Sequence, residues 1–101
     1  MKLLIITVVD GLQNEVMKLL KEATIDNFSA SDIEGFRNSF PVISVNDWFS
    51  GNEKATGSYM YFSFTETDKI DTLFNLIKTF NKNLETNNPI RAVVVPIDKY
   101  I

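Results

Sequence analysis

Three observations on the sequence predict an α+β domain in which a four-stranded antiparallel sheet carries both of its helices on one face. The chain divides into two halves with the same order of segments: extended, helical, extended. Each helical segment has one apolar stripe and one charged side, so it can cover a single surface only. A long connection, FRNSFPVISVNDWFSGNEKATG from Phe36 to Gly57, separates the halves, and it is too long for a tight turn and too apolar for an ordinary solvated loop.

The first segment, KLLIITVV from Lys2 to Val9, is almost wholly aliphatic and β-branched and too short for a capped helix. That composition suits a central strand buried on both faces. Asp10-Gly11 interrupts it, and Asp10 with Gln13 three residues on has capping-box spacing at a helix start. Leu12, Val16, Leu19, Leu20 and Ala23 then stripe one side of that helix, with Asn14, Glu15, Lys18, Lys21 and Glu22 on the other. A second extended stretch follows from Phe28 to Phe36. Beyond the long connection, SYMYFSFT from Ser58 to Thr65 alternates cleanly. Met60, Phe62 and Phe64 are expected on its core side, with Tyr59, Tyr61 and Ser63 on a semi-polar side. Thr65 and Asp68 repeat the capping-box spacing with Asp in place of Glu, and Ile70, Leu73, Phe74, Ile77 and Phe80 stripe the second helix. The last strand is expected over Ile90 to Pro96, after Pro89. Two β-α-β units in one short chain are the pattern of the ferredoxin-like βαββαβ fold, here one domain over residues 1–101. Because both helices lie on one face, the opposite face is left apolar, and an oligomer is expected to bury it.

Composition narrows the chemistry further. The sequence has no Cys and no His, which removes disulfides, thiolate nucleophiles, imidazole ligands and histidine acid–base catalysis together. An enzyme would then need paired carboxylates, a lysine or a serine activated by lysine, and nothing in the sequence points to such a pair, so no catalytic residue is assigned and the expectation is that the chain is not an enzyme. Ten basic against thirteen acidic residues, with no basic run, speak against a nucleic-acid partner. No apolar run approaches the roughly 20 residues that span a bilayer, and the N-terminus lacks the pattern of a secretory signal. Membrane insertion is therefore not expected, and the cytoplasm is the expected compartment. Asp32, Glu34, Asp47 and Glu53 are oxygen donors suited to a hard cation, but none has the spacing of a known metal loop, so no metal site is predicted.

The chain resembles the nitrogen-regulatory PII superfamily, which includes the CutA proteins. SASDIEGF from Ser29 to Phe36 is similar to the second strand of PII proteins, where a Gly-Phe pair precedes the long T-loop. VVVPIDKYI from Val93 to Ile101 is similar to their last strand, and KLLIITVVD fits their first. The connection from Phe36 to Gly57 then falls where the T-loop falls. What the resemblance implies is a homotrimer with sheets packed about a three-fold axis, signalling to a target protein such as a membrane transporter through that loop. It also implies a small ligand between subunits, an adenine nucleotide being the family's choice. The chain departs from the pattern in two places. NKNLETNNPIR, before the last strand, has none of the glycines with which PII proteins approach phosphates, and no tyrosine for uridylylation lies between Phe36 and Gly57. VNDWFSGNEKATGSYMYFSF is instead similar to CutA proteins, whose metal-tolerance-associated trimers are the alternative reading.

On this reading the ligand-binding candidates are Gly35 and Phe36, from the Gly-Phe match, and Arg37 and Arg91, whose guanidinium groups can hold an anion by paired hydrogen bonds. The partner-binding candidates in the loop are Phe40, Trp48, Phe49, Glu53 and Lys54. Each candidate has a plainer alternative. Gly35 can serve only to relieve crowding at a strand end, the arginines can be solvated or structural, and the loop aromatics can be packed against a neighbouring subunit.

Overall fold

The structure is a computed structural model that describes residues 1–36, 56–85 and 87–101. Strand β1 (Lys2–Val9) occupies the predicted span and lies inside the sheet, flanked on both sides by antiparallel neighbours. After helix α1 (Gln13–Glu22) come β2 (Ser29–Gly35), β3 (Thr56–Thr65), helix α2 (Thr67–Lys82) and β4 (Arg91–Pro96). The sheet order is β2-β3-β1-β4, so the two β-α-β halves interleave and the longest strand, β3, joins the edge strand β2 to the central β1. This is the four-stranded antiparallel, two-helix α+β arrangement that the segment order predicts. β2 and β4 are slightly shorter than expected and β3 begins two residues earlier.

The helices form where the apolar stripes run. Val16 and Leu20 of α1 and Ile70, Leu73 and Ile77 of α2 are buried, and all of these but Ile70 meet Leu4, Ile6 and Val8 from β1 in one core with Ala23, Ile25, Tyr61 and Ile90. Neither helix start is a capping box. α1 is entered through Leu12, which has no side chain able to cap, so Asp10 lies too far upstream to serve. Its Oδ1 instead accepts from Gln13 Nε2 at 2.8 Å, while Gln13 Oε1 accepts from the Gly11 N–H. Gly11 has φ +106°, a backbone region that residues with a Cβ rarely adopt. At α2, Thr65 is still paired with Lys2 in the sheet and its hydroxyl lies 2.7 Å from Ser63 Oγ, so Glu66 takes the cap position without a side-chain bond.

The faces of β3 are the reverse of the expected ones. Tyr61, Ser63 and Thr65 are buried beneath the helices, opposite Ile6, Leu4 and Lys2 in the register, whereas Met60 and Phe62 are only half-buried and Phe64 is 57% exposed. The physical reason is that polar atoms under the helices find partners. Ser63 Oγ donates to Asn27 O at 2.6 Å and also meets the Thr65 hydroxyl, and the Tyr61 hydroxyl reaches Gln13 O at 3.5 Å. Among the described residues no buried side-chain N or O atom lacks a partner. The uncovered face therefore carries Leu3, Ile5, Val9, Ile33, Met60, Phe62, Phe64, Val93 and Val95, which is more apolar than a surface of tyrosines.

Candidate functional site

The register decides which residues share the uncovered face at the C-terminal end of β1. Thr7 stands beside Met60 on one side and Arg91 on the other, and Val9 stands beside Ser58, which in turn faces Ile33. Gly35 is two residues beyond Ile33 on the same face. The segment between α2 and β4 closes this row with Asn87, Asn88 and Pro89, forming a cleft of about 350 Å³ lined also by the Val8 backbone region. That volume falls within the range of small-molecule sites, about 300 to 1,000 Å³.

Two of the four predicted ligand-binding residues, Gly35 and Arg91, meet in this cleft although they come from different halves of the chain. The sheet brings them together: Gly35 is carried on β2, Arg91 on β4, and the ends of β1 and β3 lie between. Arg91 is exposed, and among the described residues its side chain makes neither ion pair nor hydrogen bond. The only ion pair among the described residues joins Lys18 to Glu15 on α1 at 3.9 Å, and neither lines the cleft. A cation without an acidic partner, beside the Thr7 hydroxyl, is an arrangement suited to a carboxylate or phosphate oxygen.

Phe36 is 69% exposed and does not line the cleft. Arg37 and the loop candidates Phe40, Trp48, Phe49, Glu53 and Lys54 lie outside the described residues, as does Asp47. Asp32 and Glu34 pair with Tyr59 and Gly57 on the helix side of β2, away from the cleft. Among the described residues no group of three acidic side chains could hold a metal ion, and no helix is long and apolar enough to cross a membrane.

Sequence reasoning missed Thr7, Ser58, Asn87, Asn88 and Pro89. The asparagine pair stood in the segment NKNLETNNPIR, notable in the sequence for the glycines it lacks. Its signal was the side-chain amides, which both donate and accept, placed just before a strand that starts with arginine.

Fold and cleft together define a ferredoxin-like α+β protein with a cleft of mixed polar and apolar lining at one end of its sheet. No family model matches the chain, and no curated protein matches it in sequence. Among solved structures it is similar to a PII protein of Arabidopsis thaliana bound to citrate. The TM-score is 0.66 at 16% identity, over 95% of this chain and 76% of that one. The chain thus has a PII-like fold.

Proposed function

We propose that the chain is a PII-like regulatory protein and not an enzyme: a trimeric sensor that takes a small anionic ligand in the cleft and controls a partner protein through the connection between β2 and β3. The observation that carries this reading is the meeting of Gly35 and Arg91 in one cleft, on the same sheet face as the uncovered apolar surface. A subunit seated on that surface would stand next to the cleft and give it a further wall. The ligand would then lie between subunits, at the base of β2, and the connection that leaves β2 at Gly35 would start beside it. Ligand occupancy can shift a connection so placed only by binding its two arrangements with different affinity.

The chemistry of the lining favours a ligand with few charges. Arg91 can satisfy one carboxylate or one phosphate group by paired hydrogen bonds, and no glycine-rich segment offers a row of backbone amides to a polyphosphate. The PII neighbour holds citrate, which is a compact polycarboxylate, and citrate is therefore a fitting first probe beside ATP and ADP. Calorimetric titration of the full chain with these three compounds tests the reading. Binding of at least one is expected, weakened by about 1.5 to 3 kcal/mol in Arg91→Ala, the range for hydrogen bonds to a charged group. If the wild type binds none of them, or Arg91→Ala binds as the wild type does, the assignment of the cleft fails.

A further inference from the structure

The cleft is shaped by a stretch of chain with little regular structure between α2 and β4, and one side chain ties that stretch to the fold. Asn81 lies in the last turn of α2. Its Nδ2 donates to Ile90 O at 2.9 Å, and its Oδ1 accepts from the Ile90 N–H at 2.9 Å. The planar amide thus grips both sides of one residue's backbone, as a neighbouring strand would. Pairing of β4 with β1 begins only at Arg91, opposite Thr7, so Asn81 supplies for Ile90 the partner that the sheet does not.

We propose that Asn81 is the positioning residue of the cleft, holding Arg91 and the Asn87–Asn88–Pro89 wall in register for an anionic ligand. Three features combine in this inference. Ile90 is 3% exposed and packs in the core, so its side chain anchors the point that Asn81 holds. The next residue is Arg91 and the preceding three are Asn87, Asn88 and Pro89, all of which line the cleft. Asparagine is also a poorer helix former than lysine, glutamine or alanine, so helix propensity does not explain its presence in the last turn of α2. The two-point grip on Ile90 does. Asn81 itself does not line the cleft, so it acts through the residues it holds.

This inference rests on the reading of the cleft as a ligand site, and its test keeps the two apart. Amide hydrogen exchange on the full chain, without ligand, reads the clamp. In Asn81→Ala the Ile90 amide is expected to exchange at least about ten times faster, as loss of the bond that protects it allows. Amides of Leu4, Ile6 and Leu73 should keep their order of protection as the slowest in the chain. Asn81→Asp preserves the volume and the acceptor for the Ile90 N–H but sets a carboxylate oxygen against Ile90 O, so its Ile90 amide should also exchange faster than in the wild type; it serves if the alanine variant folds poorly. Unchanged exchange at Ile90 in both variants overturns the clamp. Citrate titration then reads positioning: affinity about tenfold lower in Asn81→Ala, equivalent to about 1.4 kcal/mol, supports it. Wild-type affinity in a variant whose Ile90 amide has loosened overturns it. If the wild type binds neither citrate nor ATP, the ligand-site reading falls and the positioning role with it, while the exchange data still decide the clamp.

Discussion

Tyr61 shows how a single side chain reconciles a polar atom with the core. Its ring is buried and meets Phe28 edge-on at 6.0 Å between centroids, and its hydroxyl points to the C=O of Gln13 at the start of α1. Burial, with a smaller contribution from neighbouring Tyr59, pushes its pKa above the ordinary tyrosine value. The sign of the linkage follows. The folded state keeps the proton more tightly than the unfolded chain, so the stabilisation is complete below the unfolded pKa near 10 and is lost as pH rises through the folded value. Alkaline unfolding monitored by circular dichroism should therefore be steeper with pH in the wild type than in Tyr61→Phe. The phenylalanine variant should lose less than about 1 kcal/mol at neutral pH, since a 3.5 Å contact is a weak hydrogen bond. Parallel alkaline profiles for the two proteins would remove Tyr61 from the account.

Among the elements, β3 is where sequence and structure part, and the reason is instructive. The strand itself was legible in the alternation of Ser58 to Thr65, as were β1 from its aliphatic run and both helices from their stripes. Which side of β3 faces the helices was not. Met60, Phe62 and Phe64 are the more hydrophobic set and were expected inside, yet hydrophobicity identifies the buried side only when the other side meets water. Here the uncovered face is apolar too, and what decides is whether the hydroxyls of Tyr61, Ser63 and Thr65 find partners under the helices, which depends on Asn27 and Gln13 from other elements. The candidate cleft was half legible for a related reason. Gly35 and Arg91 stood out by residue type and position, whereas Thr7 and Ser58 enter it only through strand register. Helix starts were misplaced because capping-box spacing alone does not say where β1 or β3 stops. The hydroxyl pair gives a test at this scale. Ser63→Ala strips Asn27 O of its donor and leaves the nearly buried Thr65 hydroxyl without its neighbour, which should cost about 1 to 3 kcal/mol. For a domain of this size each kcal/mol lowers Tm by about 4 to 8 °C, and a thermal scan showing no change would mean that the pair adds nothing to the packing of β3 against the helices.

For the whole molecule, the decisive feature is that both helices cover one side of the sheet and the other side is apolar across β3, β1 and β4, with Ser29 and Ser31 of β2 at one edge. Along one row Phe62, Ile5 and Val93 stand side by side, and along the next Phe64, Leu3 and Val95. Phe64, Val93 and Val95 are 57%, 53% and 41% exposed in the isolated chain. A contiguous surface of this kind marks an interaction site, and because these side chains are already about half covered, burying the rest of each is worth about 1 kcal/mol. Because the cleft opens on the same face, assembly and ligand binding should be linked: whatever binds the assembled form more tightly draws subunits together, and dilution should weaken the ligand. The substitutions Phe64→Glu and Val93→Asp together test this. Both positions are already exposed in the single chain, so the fold should survive, with far-ultraviolet circular dichroism unchanged. Two charges placed in a buried contact should raise the dissociation constant of the assembly by at least about 100-fold, a loss near 2.7 kcal/mol. Sedimentation equilibrium should then find trimers for the wild type and monomers for the double variant at micromolar concentration, and citrate or nucleotide affinity should drop in the variant although neither substituted residue lines the cleft. A wild type that sediments as a monomer would refute the assembly, and a monomeric variant with undiminished ligand affinity would show that the cleft is complete within one chain.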